Sequence, residues 1–205
     1  MANKYRGEKR LNMQRFKDYV IILASNSPRR QQFLKDIGLA FKIKTHPVEE
    51  IFPPKLQAAE ISDYLVKLKA QPFKDLKEKE LVITADTIVW DNNQCLGKPK
   101  DREEAVQMLQ QLSGKVHEVI TSVAFTQAHQ QKIIHEISKV YFKPLTQEEI
   151  DYYIDNYHPF DKAGAYGIQE WIGTVGIEKI EGSYANIVGL PVAQVLATLE
   201  KICTL

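Results

Sequence analysis

The stretch "ELVITADTIVW", residues 80–90, constrains this chain more than any other. It is β-branched and almost wholly apolar, the composition of a strand buried on both faces at the centre of a sheet. One carboxylate, Asp86, interrupts it. An ionised carboxylate costs several kcal/mol to bury unpaired. Asp86 must therefore face a cleft, a cation or a metal; the plainer alternative is a strand-end aspartate paired with a lysine. "DNN" (91–93) reads as a hairpin turn into "QCLGKP" (94–99). With the turn centred on Asn92 and Asn93, Trp90 pairs with Cys95 and Thr87 with Lys98. A slip of one residue sets Lys98 opposite Asp86 instead. In either register a lysine comes within reach of the Asp86 region.

The remaining elements follow from period and punctuation. "YVIILA" (19–24) is a second buried-strand candidate. Behind it Ser27 can cap a helix, with Pro28 at the first helical position, "RRQQFLKDI" as its body and Gly38 at its end. "FKIKTH" (41–46) alternates like a strand, and the three prolines of 46–55 make a loop. Between 58 and 73, Ile61, Tyr64, Leu65 and Leu68 recur at helical spacing. Asp101 with Glu104, and Thr146 with Glu149, form capping-box patterns before two further helices. Segments 115–126 and 131–142 flank the polar turn "QAHQ" and predict a long hairpin. The stretch 158–191 is rich in glycine and reads as loop, long enough to suggest functional use. A closing helix is predicted over 191–202 with Pro191 at its first position. The order is mixed α/β, and two hairpins exclude a purely parallel sheet.

Composition narrows the function classes. The 205 residues suit one large or two-lobed domain, predicted over 19–205. Residues 1–18 are polar and basic without an apolar core segment, so they read as a loosely ordered extension, within which Met13 offers an alternative start. A net charge of +1 gives no bulk attraction to nucleic acid or to an acidic membrane, and no basic face interleaved with aromatics is present. There is no apolar run of about 18 residues, so no membrane span is expected. Cys95 and Cys203 have no metal or redox spacing and suggest reduced thiols in a cytoplasmic protein. The histidines at 46, 117, 129, 135 and 158 lack zinc-site spacing. P-loop, dinucleotide-binding and nucleophile-elbow motifs do not occur.

Candidate chemistry then comes from local placement. Ser25, Ser27, Arg29 and Arg30 crowd the start of a helix behind a strand. Free backbone N–H groups, hydroxyls and guanidinium forks there fit a phosphate. Arginines in a first helical turn oppose the helix dipole, so they call for an anion, or else stand solvated on a capped surface helix. Glu50, with Glu49 beside it, could add a carboxylate for a metal such as Mg²⁺, which favours one or two carboxylates plus substrate phosphate oxygens; otherwise the pair is a solvated loop. Lys69 lies on the second helix, at a site or on the surface. In "DKAGAYGIQ" (161–169) the glycines allow close backbone approach, and Gln169 could read a base edge, or the segment is simply a glycine-rich loop.

Taken together, "LASNSPRRQQFLKDIGL", "ITADTIVW", "LGKPKDREEAVQMLQQLSGKVHEVIT", "DKAGAYGIQ" and "GSYANIVGLPV" resemble the Maf family of nucleoside triphosphate pyrophosphatases, over about residues 20 to 200. The resemblance implies a twisted mixed sheet with flanking helices and two lobes around a nucleotide cleft, as in ITPase-like folds. It implies hydrolysis between the α- and β-phosphates, a divalent metal (Mg²⁺ or Mn²⁺), and a cytoplasmic homodimer. It assigns the catalytic acid–base role to Asp86, and it matches Lys69, Lys98 and Glu50 to family positions. Asp86, with Glu50, would hold the metal; Ser25, Arg30, Lys69 and Lys98 would cradle the phosphates. Arg29, Thr87 and Gln169 stand where the family's branches differ and look like the branch acting on dTTP and UTP. Two alternatives are a house-cleaning enzyme for modified nucleotides, and a nucleotide-binding regulator of cell division, given the family's association with septum formation.

Overall fold

The structure, a computed structural model, describes residues 13–203. Its strands are β1 (Val20–Leu23), β2 (Lys42–Ile43), β3 (Glu80–Asp91), β4 (Gln94–Leu96), β5 (Val116–Thr126), β6 (Gln131–Phe142) and β7 (Ile177–Glu181). The helices are α1 (Pro28–Asp36), α2 (Ala59–Ala70), α3 (Arg102–Leu112), α4 (Gln147–Tyr157), α5 (Trp171–Val175), α6 (Tyr184–Val188) and α7 (Val192–Cys203). The sheet runs β2-β1-β3-β5-β6-β7, with β4 paired to β3 off that path. β1 is parallel to β2 and β3, and the pairs from β3 through β7 are antiparallel. This is the mixed α/β sheet that the order of elements predicts.

β3 is central, and its two edges differ. On one edge β5 pairs with it continuously from Val82 to Trp90. On the other, β1 accompanies it only to Ile83, and β4 joins only at Val89. Between these points β1 and β4 diverge and the edge of β3 lies open over residues 84–88. A crevice where strands part company is the usual place for a ligand in an open α/β sheet. Asp86 and Thr87 lie in that gap.

Strand alternation sends neighbouring residues of β3 to opposite faces. Leu81, Ile83 and Ala85 join a core with Leu34 of α1 and Val195 and Leu199 of α7. Farther along the same face, Val89 joins a second core with Leu109 and Leu112 of α3 and Ile150, Tyr153 and Ile154 of α4. The two cores are the hearts of two lobes, one on each side of the gap. On the opposite face, Ile88 packs against Ile61 and Leu65 of α2. Thr84 donates to the Val66 carbonyl at 2.8 Å, fixing α2 along the sheet.

Several local readings are corrected. Residues 13–16 form a 3₁₀ turn with Phe16 buried, and Arg15 pairs with Glu200 at 2.5 Å, so the fold starts before residue 19. Residues 1–12 lie outside the described residues. The strand predicted over 41–46 is two residues long, because β1 offers it only Ile22 and Leu23 as partners. Pro191 caps α7 rather than opening it, its carbonyl accepting from Val195 N–H at 2.9 Å. The stretch 158–191 is not all loop: it holds 3₁₀ turns at 159–161 and 163–165, then α5, β7 and α6. Thr146 and Glu149 form the full capping box, with both bonds made. At α3 the box is displaced: Asp101 accepts from Glu104 N–H, but Glu104 reaches past it to Lys100 N–H at 2.7 Å. Among the described residues no helix is long and apolar enough to cross a membrane.

Candidate active site

The gap in β3 opens into a cavity of about 740 Å³. It is walled by the β1–α1 turn, the loop at 45–52, the end of α2, the loop after β4, residues 161–169 and the turn after α6. That volume lies in the range of small-molecule sites. All of Ser25, Arg29, Arg30, Glu50, Lys69, Asp86, Thr87, Lys98 and Gln169 line it. The fold therefore brings every sequence-predicted site residue to one chamber, from six segments distant in sequence.

Asp86 is 6% exposed, on the α2 face of β3. Burial raises its carboxyl pKa above the ordinary aspartate value; Lys69 pulls it back through charge and a hydrogen bond, and Arg30 does so through charge. Lys69 can reach it because Leu65 and Lys69, four residues apart on α2, share one helix face, with Leu65 anchored in the core. The Lys69 ammonium also pairs with Glu50 at 3.1 Å. Two carboxylates thus aim at one cationic point on the cavity wall.

The opposite face of β3 presents Thr87 to Arg30. Ser27 caps α1 and Pro28 opens it, which directs the first-turn side chains into the crevice. Arg30 donates through Nε to the Gly189 carbonyl at 2.8 Å, through Nη2 to Thr87 Oγ1 at 3.1 Å and through Nη1 to Ser25 Oγ at 3.4 Å. Burial lowers its pKa, opposed by the charge of Asp86. Three of its five N–H donors are used, and two remain for an anion. Ser25 Oγ also accepts from Ser27 N–H at 3.2 Å. Arg29 turns to the rim and pairs with Asp161 at 3.2 Å. Arg29 thus has a carboxylate partner, whereas Arg30 bonds only neutral oxygens, with the charge of Asp86 nearby.

The β3–β4 ladder does not set Lys98 opposite Asp86 or Thr87. Trp90 does pair with Cys95, about a turn with Asn92 and Asn93 both at positive φ. The ladder stops at Val89–Leu96, however, so the chain leaves β3 before any partner for Lys98 is reached. Lys98 is exposed at the cavity wall. Gln169 is exposed at the cavity wall.

Sequence reasoning missed the support behind this wall. Lys162, 8% exposed, pairs with Asp161 at 2.6 Å and Glu170 at 3.1 Å. Tyr153 donates to Glu170 and accepts from Gly167 N–H at 2.9 Å. Gly164 has φ +68°, and a Cβ there would meet Val89 Cγ2 at 2.9 Å, so only glycine lets this loop lie on β3. Behind the loop, Tyr166 hydrogen-bonds His117 at 2.7 Å. Thr121 and Asn186 are buried behind Thr87. A threonine inside the apolar run 119–125 carried the same signal that marked Asp86.

The site can take an anion against Arg30 and Lys69 and offers a buried carboxylate as base. Asp86 and Glu50 are also the residues that could hold a divalent cation: both pair with the Lys69 ammonium, and no third His, Cys, Asp or Glu gathers with them among the described residues. Mg²⁺ takes one or two carboxylates from a protein and completes its shell from water and phosphate.

Comparison with known proteins agrees in extent. The sequence model of the Maf-like protein family matches residues 20–202. The chain is 55% identical over 190 residues to the dTTP/UTP pyrophosphatase of Flavobacterium johnsoniae, covering 92% of this chain and 98% of that one. It is 54% identical over 186 residues to the protein of that name from Christiangramia forsetii, covering 90% and 95%. With that from Flavobacterium psychrophilum it shares 56% over 182 residues, covering 88% and 93%. This chain belongs to the Maf family.

Proposed function

We propose that this chain is a cytoplasmic nucleoside triphosphate pyrophosphatase that hydrolyses dTTP and UTP to the monophosphate and pyrophosphate, using Mg²⁺ or Mn²⁺. The observation that carries the reading is the buried Asp86, set among Lys69, Arg30 and Glu50 in one nucleotide-sized cavity. The activity carried in the names of the three relatives supports it.

In this reading Arg30, Lys69, Lys98 and Ser25 hold the triphosphate, and its charge offsets the arginines at the start of α1. Asp86 takes a proton from water as the water oxygen attacks the α-phosphorus. The bond from that phosphorus to the bridging oxygen breaks, and pyrophosphate leaves with the electron pair. Burial makes Asp86 a better proton acceptor than a solvated aspartate, which suits a general base. Cationic side chains along the phosphates stabilise the charge gathering on the leaving group. A divalent ion held by Asp86 and Glu50 would supply further charge neutralisation on the phosphate oxygens. Arg29, Thr87 and Gln169 select the base.

A panel of nucleoside triphosphates with Mg²⁺ tests the reading. Turnover of dTTP and UTP well above that of purine triphosphates is expected, abolished by EDTA and restored by Mg²⁺ or Mn²⁺. A preference for purines, or for modified bases alone, would overturn the substrate assignment. No turnover with any nucleotide and metal would favour a binding protein.

A further inference from the structure

We infer that Thr121 and the Asn186 carbonyl fix the direction of the Thr87 hydroxyl, making Thr87 an obligate hydrogen-bond acceptor that selects a pyrimidine with an imide N3–H. The inference rests on the proposed nucleotide hydrolysis and deepens it.

Proton directions follow from the hydrogen bonds one by one. Thr121 Oγ1 lies 2.9 Å from the Asn186 carbonyl oxygen. A carbonyl can only accept, so the Thr121 hydroxyl hydrogen is spent there. Thr121 Oγ1 is also 2.9 Å from Thr87 Oγ1. With its own hydrogen committed, Thr121 must accept, and Thr87 must donate to it. The third contact agrees, because Arg30 Nη2 donates to Thr87 Oγ1 at 3.1 Å and demands a lone pair. The Thr87 hydrogen thus points away from the cavity, and the second lone pair remains for a ligand.

This chain of bonds is rigidly held. Thr87 and Thr121 are register partners on β3 and β5, and Thr121 is fully buried. Asn186 is fully buried as well. Its side-chain amide donates to the Val119 carbonyl at 3.1 Å and to Ser138 Oγ at 2.9 Å. Ser183 Oγ caps α6 through Asn186 N–H at 3.3 Å. The Asn186 carbonyl that orients Thr121 is therefore clamped from both sides of its residue. A hydroxyl in water rotates to suit either partner; this one has lost that freedom.

The consequence is a filter by polarity. Uracil and thymine carry a donor at N3, whereas cytosine carries an acceptor there. An acceptor facing the Thr87 lone pair leaves two buried acceptors opposed, which a site built for hydrogen bonding rejects strongly. Thr121 and Asn186 are positioning residues in this scheme, acting through Thr87.

The test compares kcat/KM for UTP, CTP and N3-methyl-UTP in wild type, Thr121→Val and Thr121→Ser. Valine keeps the shape and removes the acceptor, so the Thr87 hydroxyl can turn and donate. The UTP:CTP ratio is expected to fall about tenfold in Thr121→Val, the worth of one neutral hydrogen bond, and to recover in Thr121→Ser. N3-methyl-UTP is expected to be as poor as CTP for wild type. Circular dichroism and a melting curve establish that the valine variant is folded. An unchanged UTP:CTP ratio in folded Thr121→Val would overturn the inference. So would a shift confined to the ratio of dTTP to its 3′-deoxy analogue, which would place Thr87 at the sugar. Absence of UTP and dTTP turnover in wild type would instead overturn the proposed function.

Discussion

A single register decides what Asp86 and Thr87 do. Being adjacent on β3, they project to opposite faces, so one meets Lys69 from α2 and the other Arg30 from α1. Strand alternation dictates the opposed directions, but the helix that meets each side chain was not legible in the sequence. Which arginine turns inward was not legible: Arg30 binds the wall while Arg29 pairs with Asp161, 132 residues away. Nor was the pairing of Thr87 with Thr121, since it depends on the β3–β5 register. Lys69 is the sharpest residue test of the charge arrangement. Lys69→Met is expected to fold and to lose about 10²–10³ in kcat, the scale of one charge-stabilising group lost from an active site. Steady-state kinetics with a melting curve check it; near-normal turnover would place Lys69 outside the phosphate site.

His117 supplies a prediction of another kind. It is buried beside Phe142 and Tyr166, its Nδ1 has no hydrogen-bond partner among the described residues, and burial lowers its pKa from 6.5 to about 4. The folded state holds a neutral imidazole, while the unfolded chain takes up a proton near pH 6.5. The contribution is thus intact above pH 6.5 and is lost as pH falls through the window from 6.5 toward 4. The loss at pH 5 is about 2 kcal/mol. Urea unfolding at pH 7.5 and 5, in wild type and His117→Gln, checks this. The variant should show a shallower pH dependence.

At the scale of elements, helices announced themselves by their caps and apolar spacing, and the long strands by β-branched runs. The short elements after residue 170 did not: β7, α5 and α6 have five residues each, while β2, expected over 41–46, has two. Elements so short repeat too few times for a period to be read, so their conformation is set by what they pack against. Gly173, in α5, is the clearest case. A Cβ there would stand 1.8 Å from the Ile168 carbonyl oxygen, a backbone atom that has no rotamer to escape into. Gly173→Ala must therefore displace the segment carrying Gln169. A stability loss of roughly 1–3 kcal/mol is expected, the usual cost of overpacking, together with a raised KM for dTTP. A fully active and equally stable variant would show that the loop yields at no cost. By contrast Thr146→Ala, which removes the cap of α4 far from the cavity, is expected to cost about 1 kcal/mol with kcat and KM unchanged.

For the molecule as a whole, the decisive feature is the divergence of β1 and β4 from β3. It separates the two cores on one face of the sheet and leaves a polar gap between them. A sequence can show that a buried strand carries an aspartate, but it cannot show that both neighbours on one edge stop short of it. Family resemblance supplied the two-lobed form; the strand ladders supply its cause. The gap also explains why six separate segments contribute to one chamber. The account's central claim is that Asp86, in this gap, is the base for attack at the α-phosphorus. The most direct measurement follows dTTP hydrolysis in ¹⁸O-labelled water with Mg²⁺, for wild type and Asp86→Asn. The account predicts one ¹⁸O in dTMP, unlabelled pyrophosphate, and a loss of about 10²–10⁴ in rate for the variant. Label in released orthophosphate or pyrophosphate, or near-full turnover by Asp86→Asn, would contradict it.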